Sequence, residues 1–462
     1  MPVRFLFTTI QFVESIGWGR VGSELMARGH DVAHVTVSRR SAADLRETGA
    51  VAEVLPDRLR ALGELDAARE AKRIEDRYPI TSLRSVYLSD PASRGQSEAW
   101  LVDRTVRHFI AFEQLFDEVR PEVLVPDVGS ETLRTAAHLV ALDRGATTLF
   151  VFLTIFPRPL RVYIDTPHAP LVAPDEVRPL EPAERAEVED FIRAYIERDR
   201  PTLPHRRAAI TAAKVRDFGR HVLVRTVAER DNEYLRPSRF VTNFAKQRAR
   251  ARLSDRLCED LPGRPFVYFP LHVTDDFKVK RVIPHCVDQA YLIEMLADML
   301  PQGIDLVLKE HPVSIGRNPV SFLRRLTRRE NVHLVDPHAS SHELIRQSRA
   351  VAVISSTVGL EALLHGRAVL TMGQPFYSGY GVTVDVDSFR ELPQAIERVL
   401  NFQPGRERTL QVLHAMMRTT LEGKPAGVDP SPENAAELAR SLEARARDAR
   451  AGARQPPLPL PA

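Results

Sequence analysis

The chain carries two separate series of short apolar runs, each alternating with helix-like segments, and that pattern leaves few folds open. The first series is "VRFLFTTI" (3–10), "VAHVTVS" (32–38), "EVLVP" (122–126) and "TTLFVFL" (147–153). The second is "RPFVYFPL" (264–271), "DLVLK" (305–309), "VHLV" (332–335), "AVAVI" (350–354) and "AVLTM" (368–372). Strand-length runs that stay apolar throughout suit a parallel sheet covered on both faces by helices. Helical periodicity falls between them, over about 58–75, 97–119, 130–144, 288–300, 319–329, 341–347 and 357–365. Gly29 closes the helix after the first run. At 462 residues the chain is too long for one ordinary core.

The spacing therefore predicts an α/β protein with two Rossmann-like doubly wound domains facing a cleft. The expected boundaries are 1–175 for an N-terminal Rossmann-like domain and 176–262 for a charged helical bridge. They continue as 263–402 for a C-terminal Rossmann-like domain, 403–450 for closing helices and 451–462 for a disordered, proline-rich tail. Two such halves make the architecture called GT-B. In open sheets of this kind ligands sit beyond the carboxyl ends of the strands.

Composition narrows the function. A formal charge of +3 gives no chain-wide field for nucleic acid, so no nucleic-acid partner is expected. Two cysteines, Cys258 and Cys286, are too few for a disulfide framework or a cysteine zinc site. The start "MPVRFLFTTIQFVES" reads as a strand and not a leader, and no apolar run approaches the ~20 residues of a spanning helix. The reading is cytoplasmic, with peripheral contact at the inner membrane face left open. "RRLTRRE" (324–330) is a solvated helix face first and a phosphate or lipid-surface patch second. No metal or cofactor is expected: there is no H-E-x-x-H, cysteine quartet or D-x-D near the motifs.

Two motifs at predicted strand ends carry the chemistry. In "SSTVGLEALLHG", a strand ends and a helix begins at once. Ser355, Ser356 or Thr357 can cap that helix, and its N-terminus can hold a phosphate. Gly359 would let a ligand or backbone come close. A capped helix accounts for the hydroxyls by themselves. Glu361 stands outside any capping box, and could accept hydrogen bonds from sugar hydroxyls or simply lie on the surface. In "LKEHP", Pro312 holds His311 extended at a strand end, where it could donate to a phosphate oxygen; a turn is the plain alternative. Lys309 and Glu310 alternate faces, so only one shares the side of His311.

Weaker signals complete the set. "GQPFYSGYGVT" (373–383) offers Tyr377 in a glycine-rich loop that could wrap a nucleotide or pack on itself. "LHVTDDFKVK" (271–280) sets Asp275 and Asp276 past the first strand of the second half, where a carboxylate can serve as base or nucleophile. In the first half Gly17, Gly19 and Gly22 meet the spacing G-x-G-x-x-G within "ESIGWGR" and the residues after it. The second strand ends in Ser38, Arg39 and Arg40 without the acid a dinucleotide site wants, which disfavours NAD and leaves NADP a rival. Glu14, Asp127 and Glu131 lie near first-half strand ends and could touch an acceptor sugar.

The stretches "FVYFPLHVTDD", "YLIEMLADMLPQGIDLVLKEHP" and "VISSTVGLEALLHGRAVLTMGQPFYSGYGVT", spanning about 266–383, resemble the capsule polysaccharide synthesis family. Its known members include β-Kdo glycosyltransferases. The resemblance implies a GT-B fold and a nucleotide-sugar donor, commonly CMP-activated. It places His311, Ser355 and Ser356 at the nucleotide phosphate, Glu361 at the ribose and Asp276 as candidate catalytic carboxylate. Catalysis is thus expected from Asp276 and His311. Substrate binding is expected from Lys309, Ser355, Ser356, Thr357, Glu361, Gly17, Gly19, Glu14 and Tyr377. The expected reaction moves a sugar from a nucleotide donor, CMP-linked and Kdo-like, to a glycan or glycolipid acceptor without a metal. Three alternatives stand beside it: a sugar-nucleotide epimerase, a CDP-polyol phosphotransferase, and a non-catalytic nucleotide-sugar-binding protein of polysaccharide export.

Overall fold

The computed structural model describes residues 2–10, 12–198, 216, 219–220, 223, 227, 237–273 and 276–455. Residues 456–462 of the proline-rich tail lie outside them, and so does most of the stretch 199–236. The first sheet contains β1 (Arg4–Thr9), β2 (Asp31–Thr36), β3 (Val51–Val54), β4 (Val123–Val125), β5 (Thr147–Leu153) and β6 (Leu160–Ile164). Their order is β3-β2-β1-β4-β5-β6, and only β6 runs antiparallel to its neighbour. The second sheet contains β7 (Phe266–Pro270), β8 (Asp305–Lys309), β9 (Val332–Val335), β10 (Ala350–Val353), β11 (Ala368–Thr371) and β12 (Val384–Asp385). Its order is β12-β11-β10-β7-β8-β9, parallel throughout.

Both sheets share one winding. Strands two and three add to one side of the first strand, and strand four crosses to the other. Each sheet therefore has a switch point, between β1 and β4 and between β7 and β10, where successive connections part and leave a crevice. These are the two Rossmann-like domains of a GT-B-like fold. Every residue of β7, β8, β10 and β11 is buried, as a sheet covered on both faces requires.

Three strands depart from the expected series, each for a local reason. β3 is interrupted by Glu53, β6 carries a buried Arg161, and β12 is two residues long. The helix expected over 58–75 is two helices, Leu55–Ala61 and Ala67–Arg77, parted at Gly63 with φ 63°.

The two lobes share a continuous apolar seam. Phe152 and Tyr163 of the first sheet share one cluster with Tyr268 and Val307 of the second sheet and Leu360 of helix Thr357–Leu364. Val188 and Phe191 on helix Pro182–Arg198 enter the same cluster, as do Leu410, Leu413 and Met416 on helix Arg406–Thr419. Tyr380 adds a polar link by donating to the Val172 carbonyl at 2.6 Å. The last helix, Pro432–Arg450, returns to the first lobe, where Leu438 and Leu442 pack with Trp18 and Leu25. The Arg445 guanidinium there donates to the Val162 carbonyl at 3.1 Å.

The glycine spacing of the first half is not a phosphate loop. The stretch "QFVESIGWGR" lies within helix Phe12–Ala27 from its second residue onward. Gly17 and Gly19 fall beyond the first turn of that helix, whose N–H groups alone are open to a ligand. A side chain on Gly17 would run into the Ala426 carbonyl, and one on Gly19 into Leu45 at 2.9 Å. These glycines permit close packing and bind no phosphate, which also removes the NADP alternative. Gly17→Ala should destabilise the fold by about 1–3 kcal/mol, the usual cost of overpacking, read as a lowered midpoint in thermal or denaturant unfolding.

Candidate functional site

A cavity of about 520 Å³ opens beyond the carboxyl ends of β7, β8, β9 and β10, at the switch point of the second sheet. Lys309, His311, Ser356, Thr357 and Glu361 all line it. Leu153, Thr154 and Ile155, at the end of β5, close it from the other lobe. Five residues expected at the site from two separate motifs are thus brought to one hollow.

His311 leaves β8 in an extended conformation, φ −66° and ψ 131°, and Pro312 starts a single 3-10 turn. The ring Nδ1 accepts the Val313 N–H at 3.2 Å. That bond selects the tautomer of a neutral ring with its proton on Nε2, which makes Nε2 the donor. Lys309, Glu310 and His311 all line the cavity, so the expected alternation does not hold past the end of β8. The Glu310 carboxylate accepts Asn318 Nδ2 at 2.5 Å, and burial raises its pKa.

Ser356 caps helix Thr357–Leu364, its Oγ accepting the Val358 N–H at 3.2 Å. The turn beneath is pinned from two sides. The buried Ser355 does not line the cavity; its N–H donates to His272 Nε2 at 3.2 Å. His272 Nδ1 in turn faces Asp276 Oδ2 at 3.5 Å, and Asp276 Oδ1 accepts the Lys278 N–H at 2.8 Å. Burial opposes ionisation of Asp276, but His272 and that N–H hold its carboxyl below the ordinary range. Asp276 therefore acts on the site through His272 and Ser355 and does not line the cavity. Asp275 lies outside the described residues.

From the other side, the Tyr377 hydroxyl donates to the Ser356 carbonyl. Tyr377 is wholly buried, and its hydroxyl fills the space a side chain on Gly359 would need. Gly359 is thus reserved for Tyr377 and not for a ligand, and Tyr377 supports the turn from below instead of wrapping a nucleotide.

Lys309 and Glu361 share the cavity wall. Lys309 Nζ donates to Ser341 Oγ at 2.6 Å. Burial draws its pKa down to about 8, against the opposing pull of Glu361 and Asp336. Burial pushes the Glu361 carboxyl up, offset in part by Tyr195, whose hydroxyl donates to Oε1 at 2.8 Å, and by Lys309. His272, Tyr195 and Ser341 escaped the sequence reading. His272 lies two residues past the end of β7, a signal that was present; Tyr195 arrives from helix Pro182–Arg198, which no local pattern ties to the cleft.

Glu14 belongs to a different cluster. It accepts the Ile10 N–H at 2.9 Å and Arg134 Nη2 at 3.0 Å. The buried Arg134 also pairs with Glu131 at 3.1 Å. Asp127, held at φ 54°, accepts Trp18 Nε1 at 3.2 Å. Glu14, Asp127 and Glu131 gather at the strand ends of the first sheet, and none lines the cavity.

Residues 202–419 match the model of a family described as capsule polysaccharide biosynthesis protein. Capsule polysaccharide modification protein LipA of Neisseria meningitidis serogroup B is 33% identical over 85 residues, 18% of this chain and 12% of LipA. Protein FixF of Sinorhizobium fredii is 33% identical over 119 residues, 25% of this chain and 28% of FixF. The chain thus spans well under a third of either relative. Among solved structures, the β-Kdo 2,4 transferase of Thermosulfurimonas dismutans KpsC aligns at 18% identity, covering 70% of this chain and 87% of that one, with a TM-score of 0.39. Among the described residues no helix is long and apolar enough to cross a membrane.

The depressed Lys309 yields a signed prediction. Below pH 8 it is charged in both the folded and unfolded chain, and burying that charge costs stability. Between about 8 and its ordinary 10.5 the folded chain releases the proton first, so the cost is relieved as pH rises. The stability gap between Lys309→Met and the parent should narrow across that window, as measured by paired unfolding curves from pH 7 to 10.5.

Proposed function

We propose that the protein is a glycosyltransferase of surface or capsular polysaccharide biosynthesis. In this reading it moves a sugar from a nucleotide donor, CMP-linked and Kdo-like by preference, to a glycan or glycolipid acceptor. One observation carries the reading: a histidine, a lysine and a hydroxyl-capped helix N-terminus converge on one cavity at a topological switch point. That constellation suits a phosphate.

The chemistry follows from the placement. The bond between the sugar's anomeric carbon and the phosphate oxygen breaks, and the oxygen keeps the electron pair. Lys309, His311 and the helix N-terminus stabilise the departing anion. Tyr195 occupies one oxygen of Glu361, and the other can accept a ribose hydroxyl. An acceptor hydroxyl attacks the anomeric carbon from the side of Leu153, Thr154 and Ile155, where the first lobe closes the cavity; the new glycosidic C–O bond forms and the hydroxyl proton passes to the departing phosphate. The seam between the lobes excludes water and so limits hydrolysis. Because protein cations supply the charge stabilisation, turnover should persist in the presence of a chelator.

The test is a nucleotide panel of CMP, CDP and UDP, followed by product analysis with and without acceptor glycans. His311→Ala should weaken binding of the preferred nucleotide by about 1.5–3 kcal/mol, roughly ten- to a hundredfold. In the parent, affinity should fall as pH rises through about 8, because bound phosphate favours protonated Lys309 and the free site loses that proton there. Lys309→Arg should remove the fall. Unchanged affinity for every nucleotide in His311→Ala and Lys309→Met would overturn the reading. Conversion of a sugar nucleotide without acceptor would point to an epimerase, and transfer of a polyol phosphate to a phosphotransferase.

A further inference from the structure

One helix breaks a rule that the other long exposed helices keep. Helix Pro237–Ser254 contains Arg239, Lys246, Arg248, Arg250 and Arg252 and no acidic residue. Helix Pro182–Arg198 sets Glu184, Glu189 and Asp190 beside Arg185 and Arg193, and helix Pro432–Arg450 mixes signs in the same way. Opposite charges a turn apart steady a helix in water, and like charges there weaken it. The helix dipole accounts for Arg252 in the last turn but not for Lys246 and Arg248. Among the described residues no carboxylate pairs with Lys246, Arg248 or Arg252. The acids Asp255 and Glu259 follow the last turn, and Glu259 Oε2 faces His333 Nδ1 at 3.0 Å.

The helix has a fixed inner face. Gln247 Nε2 donates to the Ile315 carbonyl at 3.0 Å, Arg250 Nη1 donates to the Arg317 carbonyl at 3.2 Å, and Ser254 is buried. Gly316, at φ 73°, has no room for a side chain beside the Gln247 carbonyl. Those positions form one stripe, so the exposed Ala245, Ala249 and Arg252 face away from the protein. Phe244 and Arg248 flank them on one side, Lys246 and Leu253 on the other. Phe244 is 44% and Leu253 41% exposed, and Arg248 Cζ lies 5.1 Å from the Phe244 centroid. Helix Val320–Leu326 packs alongside. There "RRLTRRE" divides: Arg325 pairs with Glu294 at 2.7 Å and Arg329 with Asp298 at 2.8 Å. Arg324 and Arg328 are exposed, as is Arg317, with no carboxylate partner among the described residues.

We propose that helix Pro237–Ser254, with Arg317, Arg324 and Arg328 beside it, docks on an anionic membrane surface. Cations interspersed with exposed apolar side chains on one helix suit charged headgroups, with Phe244 and Leu253 entering between them. A soluble anion would need cations converging in a hollow. These spread over the outside of a helix and line no part of the phosphate cavity. The loop 315–317 that seats the helix follows directly on the Pro312 turn, so docking brings the bilayer beside the β8 wall of that cavity. The proposal adds a location and stands whether or not the transferase reading does.

The full chain is mixed with vesicles of phosphatidylcholine alone, or with phosphatidylglycerol at roughly 7:3, and binding is read by flotation. The parent should bind the anionic vesicles about tenfold or more tightly than the neutral ones, and the preference should shrink between about 0.05 and about 0.5 M salt. Lys246→Gln, Arg248→Gln and Arg252→Gln together should lower that affinity about tenfold or more, with the unfolding midpoint unchanged. Arg69→Gln, Arg349→Gln and Arg440→Gln together remove the same charge from other exposed positions and should leave it within about twofold. Phe244→Ser with Leu253→Ser should weaken the binding that survives at high salt. Should the triple helix variant fail to fold, the salt series and this apolar pair still decide. Equal affinity for both vesicles, no binding to either, or a folded helix variant that binds as the parent does overturns the proposal. So does an equal loss in the control variant. A dimer in light scattering that the triple helix variant returns to a monomer would give the face to a second copy instead. Tighter binding to single-stranded RNA than to anionic vesicles, lost in the same variant, would give it to nucleic acid.

Discussion

The site depends on one turn. Between β10 and helix Thr357–Leu364 the backbone must stop being strand and become helix within three residues, with its first helical N–H groups aimed at the cavity. His272 holds the Ser355 N–H from the strand side, and Tyr377 holds the Ser356 carbonyl from beneath. Both side chains are buried, so neither can drift. Asp276 fixes the His272 ring by facing Nδ1, which leaves Nε2 as the acceptor the Ser355 N–H needs. A helix N-terminus is electropositive wherever it occurs; here it is held still, and a fixed dipole stabilises a forming anion without reorganising.

The apolar seam does for the lobes what those bonds do for the turn. Helix Pro182–Arg198 contributes Val188 and Phe191 to the seam and Tyr195 to Glu361, so one element joins packing between lobes to the polarity of the cavity. Without the tyrosine, a buried carboxylate beside Lys309 would lose a hydrogen bond that favours its charged form. The return of helix Pro432–Arg450 to the first lobe ties the chain's end to its beginning, through Leu438 against Trp18 and Leu25.

Most of the sheet framework was legible because buried parallel strands leave no room for polar residues, and seven of the nine expected runs match their strands to within a residue at each end. The convergence of Lys309, His311, Ser356, Thr357 and Glu361 was legible for a related reason: residues that end neighbouring parallel strands share one edge of the sheet. The glycines misled because spacing alone does not separate a phosphate turn from close helix packing. Gly17 meets Ala426, more than four hundred residues away, and no local pattern records that contact. Tyr195 and Arg161, whose guanidinium lies over the Phe376 ring, were hidden likewise, since each reaches across the seam from an element whose own period says only helix or strand.

The electrostatics of the cleft give the remaining step. Lys309 and Lys278 come from different loops of the second sheet, and both lose part of their affinity for a proton to burial, to about 8 and about 7. Lys309 has Glu361 and Asp336 nearby, whereas on Lys278 the pull of Asp276 is opposed by Arg161. The cation on the phosphate wall is therefore partly compensated before any ligand arrives. An anion entering there exchanges one partner for another, so the site can hold a charged lysine ready without leaving it buried and unpaired when empty.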